Sequence, residues 1–242
     1  MRSGILLMGV PIHLNVFCKS LYAEVERFGE SKRHFLPRTE RLKFGIFYSP
    51  PQDQPELMII GANPGFDSDD DTKTYPDTNL FYDCGDRNKD EWKIAAALGN
   101  LFELAGEKRM LRDSVVTNLL FFKSRCLGKH AETGEGWRDN GNAEARREIE
   151  HYCEKKVEEI VVQLAPKRIL AFGLGTWNKL AEGHAKVLAR RTEMRGRLAV
   201  TGTVFNRSGF GIVHPTGARM SRGECRKPAP FLREFLVSPS SE

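Results

Sequence analysis

Two polar side chains in this 242-residue sequence follow short apolar runs, each on a turn that contains proline. The run Leu57–Gly61 leads to Asn63 within the segment GANPG, and the run Gly211–Val213 leads to His214 within HPTG. Continuous apolar runs are typical of buried parallel strands, and ligands bind just beyond the carboxyl ends of such strands. An amide can orient a water molecule, and an imidazole N–H can stabilise a developing negative charge. The pattern therefore predicts a pocket at these two turns.

The other motifs that could carry chemistry have simpler structural explanations. The segment Gly173–Asn178 is similar to a dinucleotide fingerprint, but it has Asn where the third glycine belongs, so a tight strand-to-helix turn explains it better. The sequence has no Walker A, HExxH, GxSxG or zinc-ligand spacing. Four carboxylates could bind Mg²⁺, but adjacent carboxylates on a loop more often interact only with water; they are Asp67, Asp69, Asp70 and Asp71. We therefore predict no metal site.

Composition and charge are typical of a globular protein with one basic region. Hydrophobic residues make up 40% of the chain and charged residues 29%, and no apolar run approaches the roughly 20 residues of a membrane span. The segment Arg190–Arg233 has ten Lys or Arg residues against two Glu, a net charge of +8. This segment is either a surface for a polyanion or ordinary solvated surface. Five widely spaced cysteines without a CxxC indicate a reducing compartment.

The elements that must position these residues follow from periodicity and capping signals. We predict core strands at Leu57–Gly61, Ser114–Asn118, Arg168–Gly173 and Phe210–Val213, and one or two further short strands within 197–205. We predict helices at Val16–Phe28, from Asp90 to Gly106, at Ala143–Ala165, at Thr176–Leu188 and at Pro228–Val237, with long loops at Asn63–Lys89 and Lys123–Gly141. This alternation predicts a single three-layer α/β/α domain with a central, mainly parallel four-stranded sheet. Residues 51–237 form that domain, residues 1–50 a helical or irregular extension packed on it, and residues 238–242 a loose tail.

Three short motifs occur in a fixed order at predicted strand ends: GANPG at 61–65, TN at 117–118 and HPTG at 214–217. Together with the elements between them, they resemble the uracil-DNA glycosylase superfamily over roughly residues 55–236. The GxNPG form is similar to the mismatch-specific and single-strand-selective branches. Lys123, Cys126 and Cys153 resemble the iron–sulfur branch, but only Cys18 lies in the region where that branch has a CxxC, so no cluster is predicted.

The resemblance implies roles for the residues of the pocket. Asn63 would orient the attacking water, and His214 would donate its N–H to the departing base. Asn118 would read the base edge, because an amide matches the N3–H and O4 of uracil. Base binding as a whole is assigned to Ala62, Phe66, Phe81 and Asn118, with Phe81 and Phe66 as candidates for stacking. Each side chain also has a structural alternative, either a hydrogen bond to nearby backbone or a place in the core.

The resemblance also implies a DNA-binding surface beside the pocket. In the families it resembles, the turn after the histidine enters the minor groove, where Met220 would be the apolar wedge. Arg219 and Arg222 would hold phosphates, and Lys123 and Arg125 would add phosphate contacts from the second strand end. The predicted DNA-binding residues are Lys123, Arg125, Thr216, Arg219, Met220 and Arg222.

These implications favour a monofunctional DNA glycosylase that removes uracil or a related deaminated base by base flipping and water attack. Three alternatives remain: the same scaffold acting on another base such as hypoxanthine, a catalytically inactive nucleic-acid-binding module, and a nucleoside hydrolase, which the basic segment disfavours. We expect a monomer that binds DNA, needs no cofactor or metal and does not enter a membrane. The expected location is the nucleoid-containing cytoplasm or the nucleus.

Overall fold

The computed structural model describes residues 10–36, 42–63, 74–87, 93–129, 131–139, 142–191, 196–214 and 222–238, without the side chains at 84–87, 222 and 225. Within these ranges the helices are α1 (Ile12–Ser31), α2 (Leu80–Arg87), α3 (Lys93–Ala105), α4 (Lys108–Arg112), α5 (Ala143–Leu164), α6 (Leu174–Leu180), α7 (Arg222–Arg226) and α8 (Ala229–Val237). The strands are β1 (Met58–Gly61), β2 (Val115–Asn118), β3 (Arg168–Phe172), β4 (Ala181–Arg190), β5 (Arg197–Val204) and β6 (Arg207–Ile212). The predicted α/β class is confirmed.

The described strands form one mixed sheet in the order β2-β1-β3-β6-β5-β4. The first four of these strands run parallel to their neighbours, and β5 and β4 extend the sheet through antiparallel pairs. The predicted four-stranded sheet is therefore corrected to six strands in the described part of the chain. In the parallel part, Gly61 lies beside Asn118, and Phe172 lies beside Ile212. All four parallel strands thus end at one edge of the sheet, which we call the carboxyl edge.

The strand β4 replaces most of a predicted helix. The sequence pattern predicts a helix from Thr176 to about Leu188, but α6 ends at Leu180 and the next residues pair with β5. Gly183 has φ +67°, a left-handed conformation that cannot continue a right-handed helix. The partner β5 joins β6 through residues 205–206, both with positive φ, a two-residue turn that suits a twisted hairpin. Pairing with this hairpin overrides the local helix propensity.

Part of the predicted loop Asn63–Lys89 is the helix α2. The side-chain oxygen of Asn79 accepts a hydrogen bond of 3.2 Å from the Tyr82 backbone N–H and so caps this helix. Its Nδ2 donates to the carbonyl oxygens of Leu111 at 2.8 Å and Ser114 at 3.0 Å. The buried Asn79 side chain therefore ties the start of α2 to the amino end of β2.

Local signals set the bounds of the predicted helices at α3 and α5. Gly106 follows α3 with φ +75°, the left-handed conformation that commonly ends a helix at glycine. The Asn142 side chain caps α5 by accepting from the backbone N–H groups of Glu144 at 3.1 Å and Ala145 at 3.0 Å. Pro166 comes two residues after the end of α5 and prevents the helix from continuing, because proline cannot continue a helix. Both helices end within one residue of their predicted ends.

Helices cover both faces of the sheet. The side chains of α1 and α5 pack with Met58 and Ile60, whereas α3 and α8 pack with Ile59 on the other face. This alternation is required of a strand that is buried on both faces. Phe28 of α1 stacks on Tyr152 of α5 with ring centroids 3.6 Å apart, so α1 shares the core of the sheet. Residues 1–9 of the predicted extension and 239–242 of the predicted tail lie outside the described residues.

Within the described ranges, no helix combines the length and the apolar character that crossing a membrane requires.

Candidate active site

The carboxyl edge is shared by Gly61, Asn118 and the strand before His214, although these residues are far apart in the sequence. Gly61 and Asn118 end neighbouring strands, and β3 separates β1 from β6, which leads into His214. Neighbouring strands lie about 4.8 Å apart, so β1 and β6 are roughly 10 Å apart. The topology therefore places the described parts of the three motifs, which are residues 61–63, 117–118 and 214, at the same edge of the sheet.

Asn63 is held at this edge by the segment that follows β2. Its Nδ2 donates to the Ser124 carbonyl oxygen at 3.2 Å and to the Ser124 hydroxyl oxygen at 2.9 Å. Ser124 is fully buried, and its hydroxyl in turn donates to the carbonyl oxygen of Cys126 at 3.2 Å. Asn63 itself is only partly buried. The amide is thus anchored through its nitrogen while part of the residue remains accessible.

Asn118 lies against the glycine that ends β1. Its side chain is 5% exposed, and its Oδ1 is 2.3 Å from the position that a Cβ on Gly61 would occupy. No residue with a Cβ fits at position 61 unless the Asn118 amide moves. The alternation along the strands puts Asn118 on the same face as Val116, which is the face covered by α3 and α8. Gly61 therefore makes room for an amide at the carboxyl edge.

His214 is half-buried at the end of β6. Its ring lies against Phe172 with centroids 5.0 Å apart and planes tilted by 49°. Burial lowers the pKa of the His214 imidazole below its ordinary value. The ring is therefore neutral at neutral pH and carries one N–H donor. Phe172 belongs to the α3 and α8 face, so His214 and Asn118 lie toward the same side of the sheet.

Ala62 lies on the opposite side and lines a cavity of about 230 Å³ between the strand ends and the helices α5 and α6. In its wall, Trp137 Nε1 donates to Glu150 at 2.8 Å, and Lys179 donates to Glu150 at 2.8 Å and Glu154 at 3.0 Å. Burial alone would raise the pKa of the Glu150 carboxyl, but the hydrogen bonds from Lys179 and Trp137 hold it below its ordinary value. Among the described residues that line this cavity, neither Asn63 nor His214 is present. The cavity adjoins the predicted site through Ala62.

Phe81, the first candidate for stacking, is a core residue of α2. It is 7% exposed and meets the ring of Tyr48 edge to face, with centroids 6.1 Å apart. Phe81 lies on the apolar face of α2 and packs in the core beside α3. A base could not stack on this buried ring, so the structure argues against that role. The prediction for Phe81 is corrected accordingly. Phe66, the other candidate, lies outside the described residues.

Lys123, predicted to contact phosphate, is buried. Only 3% of its surface is exposed, because the chain after β2 pairs with the segment 42–48. Phe122 forms an antiparallel bridge with Phe44, and the Lys123 N–H donates to the Lys43 carbonyl at 3.1 Å. This burial is unfavourable for the predicted phosphate contact, because a phosphate must reach the ammonium group.

The structure describes only some of the remaining predicted DNA-binding residues. Arg125 is exposed on the loop after β2 and forms an ion pair with Glu135, with which a phosphate would compete. Arg222 begins α7 and is described only in its backbone. Thr216, Arg219 and Met220 lie outside the described residues.

The sequence-based prediction missed Ser124 and Trp137. Both belong to the predicted glycine-rich loop, which folds back on itself through hydrogen bonds from the Trp137 N–H to the Cys126 carbonyl at 2.8 Å and from the Arg138 N–H to the Gly128 carbonyl at 2.9 Å. The only local signal was a serine two residues after the apolar run that continues β2. Its partner Asn63 is too distant in the sequence for any local pattern to reveal the contact.

Three cysteines in the described ranges are free thiols: Cys18, Cys126 and Cys153. Burial raises the pKa of both Cys18 and Cys153 to about 12, so these two stay protonated at neutral pH. Among the described residues, no group of three His, Cys, Asp or Glu side chains is arranged to hold a metal ion.

No protein-family model matches this sequence, and no curated protein matches it significantly. The likeness to the uracil-DNA glycosylase superfamily therefore consists of the three motifs, their order and the elements between them.

Proposed function

We propose that this protein is a monofunctional DNA glycosylase that hydrolyses the N-glycosidic bond of uracil or a related deaminated base. The observation that carries the proposal is that an anchored amide, Asn63, and a neutral imidazole, His214, both follow parallel strands that end at the carboxyl edge. Four parallel strands with helices on both faces support the three-layer α/β/α architecture that the resemblance implies.

In the proposed reaction Asn63 acts on the side of the attacking water. The water oxygen bonds to the sugar C1′ as the bond from C1′ to the base nitrogen breaks. The water loses one proton to the solvent, and the departing base anion takes up one proton, so the products are the abasic sugar and the free base. An amide is a poor base, so Asn63 contributes by orienting the water and not by removing its proton. Its anchored nitrogen supports this role, because a held amide loses little freedom when water binds.

His214 acts on the side of the departing base. The electron pair of the broken bond goes to the base, which becomes an anion with charge on its carbonyl oxygens. A neutral imidazole N–H donates a hydrogen bond that strengthens as this charge develops. The lowered pKa of His214 supports this role, because it keeps the ring neutral over the physiological range.

Asn118 recognises the base in this proposal. Its amide offers a donor and an acceptor to the N3–H and O4 edge of uracil. The close approach to Gly61 supports the assignment, because it limits the positions that this amide can occupy. A rigid amide discriminates between edges with different donors and acceptors, since a mismatched edge leaves buried groups unpaired.

The test is a panel of oligonucleotides that contain uracil, hypoxanthine or ethenocytosine, followed by alkaline cleavage of abasic sites. We expect abasic sites with at least one of these bases, and uracil is the first choice. Binding without abasic sites on any oligonucleotide would indicate the inactive nucleic-acid-binding module. Release of base from free nucleosides but not from DNA would indicate a nucleoside hydrolase.

A further inference from the structure

The contact between Asn63 and Ser124 is specific for one end of the amide. Both acceptors on Ser124, the carbonyl oxygen at 3.2 Å and the hydroxyl oxygen at 2.9 Å, face Nδ2. The Ser124 hydroxyl proton is directed to the Cys126 carbonyl at 3.2 Å, so a lone pair of the hydroxyl oxygen is left for Asn63. Ser124 is fully buried, so solvent does not compete for these acceptors in the folded protein.

We infer that Ser124 is a positioning residue that fixes which end of the Asn63 amide faces the reacting water. This inference rests on the proposed glycosylase function. An amide turned by 180° would set its oxygen against the Ser124 carbonyl with no proton between them, which is unfavourable for two acceptors. With Nδ2 held by Ser124, Oδ1 is turned to the other side of the amide. An oxygen has two lone pairs, so Oδ1 can accept a water proton alongside another partner.

The same geometry accounts for an amide, and not a carboxylate, at position 63. A carboxylate has two oxygen atoms and no proton at neutral pH, so one oxygen would lie against the Ser124 carbonyl. The backbone of Ser124 thus selects the amide, and its side chain adds the shorter of the two bonds.

Rates of base release under single-turnover conditions test the inference, with the uracil oligonucleotide as substrate. We expect Ser124→Ala to slow release about tenfold, the kinetic equivalent of one hydrogen bond, with an unchanged Kd for the oligonucleotide. In an Asn63→Ala background, Ser124→Ala should cause no further loss, because there is no amide left to position. Ser114→Ala is the matched control. Ser114 is also fully buried and also accepts from an asparagine, but at the opposite end of β2, so its loss should leave the rate unchanged.

The outcomes separate the inference from the function on which it rests. If the wild type releases no base from any oligonucleotide, the proposed function fails, and the role of Ser124 in it fails as well. If the wild type is active and Ser124→Ala releases base at the wild-type rate, only the inference is overturned. A loss of equal size in the Asn63→Ala background would also overturn it, because Ser124 would then act without the amide.

A second measurement does not depend on the folding of any variant. In the wild type, exchange of the Asn63 side-chain amide protons with water can be followed by NMR, with Asn100, exposed on α3, as the reference. We expect the Asn63 protons to exchange at least about tenfold more slowly than those of Asn100, because hydrogen-bonded protons are protected until the bond opens. Equal exchange rates would show that Ser124 does not hold the amide and would overturn the inference.

Discussion

Two asparagine–serine pairs lie at opposite ends of β2 and make nearly the same contacts. At the amino end, Asn79 donates to the Ser114 carbonyl at 3.0 Å and to its hydroxyl at 3.3 Å. At the carboxyl edge, Asn63 donates to the Ser124 carbonyl at 3.2 Å and to its hydroxyl at 2.9 Å. Asn79 is 5% exposed and also caps α2, whereas Asn63 is only partly buried. The pairs differ in their surroundings and not in their chemistry.

This difference shows that the solvent exposure of the asparagine decides the role of an asparagine–serine pair. An enclosed amide must use its donors and acceptor within the protein, because water cannot reach them. Asn79 does so with a helix cap and two carbonyl partners, and these bonds connect α2 to β2. A partly exposed amide can be anchored through its nitrogen and still meet an exchangeable partner such as water. The same two residue types therefore stabilise the fold at one end of β2 and present a polar group at the other.

The largest expected effect is that of Asn63→Ala on base release. We expect the single-turnover rate to fall by about 10²–10³, the usual cost of removing a preorganised polar group from a reaction site. Stability should fall by about 1 kcal/mol, less than for Asn79→Ala below, because the buried Ser124 carbonyl loses a partner but Ser124 keeps its bond to Cys126 and no helix cap is lost. Rates on the uracil oligonucleotide and urea denaturation would measure both quantities. If the variant released base at the wild-type rate, Asn63 would have no role in the reaction.

Asn79→Ala should show the reverse behaviour. We expect a loss of about 2–3 kcal/mol in the free energy of unfolding, because α2 loses its cap and the buried Ser114 carbonyl loses a partner. The rate of base release per folded molecule should match that of the wild type. Urea denaturation together with rates at a temperature where the variant is folded would test this. A variant that is slow but fully stable would contradict the assignment of a purely structural role.

Gly61→Ala should give a smaller, mixed effect at the carboxyl edge. The new Cβ would lie 2.3 Å from Asn118 Oδ1, so the amide must move. We expect a loss of about 1–2 kcal/mol in stability and about tenfold in rate. Gly99→Ala in α3 is the control, because a Cβ there meets no atom within 4 Å and alanine favours a helix. Wild-type kinetics in Gly61→Ala would show that the position of Asn118 does not matter for the reaction.

The smallest effect concerns pH, and it distinguishes His214 from both asparagines, since amides do not titrate in this range. Burial lowers the pKa of His214 in the folded state, so the unfolded state binds a proton more readily. The corresponding stability is present above the unfolded pKa of about 6.5 and is lost as the pH falls through that value toward the lowered folded pKa. We expect the wild type to lose more stability than His214→Gln between pH 8 and pH 5. Equal losses in urea denaturation would contradict the burial of a neutral ring.

Several elements of the fold were predictable because their signals are local. Asn142 and Pro166 bracket α5, Gly106 ends α3, and apolar runs mark β1, β2 and β3. The helix α2 and the strand β4 were not predictable in this way. The cap of α2 binds carbonyl groups more than thirty residues away, at Leu111 and Ser114, and β4 exists because β5 offers it a partner. Contacts of this kind leave no trace in a short window of sequence.

The sequence by itself determined that Asn63, Asn118 and His214 lie at or just beyond the carboxyl ends of β1, β2 and β6, because apolar runs act through neighbouring residues. The tertiary structure decided that Lys123 and Phe81 are buried and that Ser124 meets Asn63. Burial and hydrogen-bond partners depend on which distant segments cover a residue. Residues 42–48 pair with the backbone around Lys123, and the core beside Tyr48 encloses Phe81. Local residue types therefore determine where a polar group stands in the chain, and only the packing of the whole chain determines what it faces.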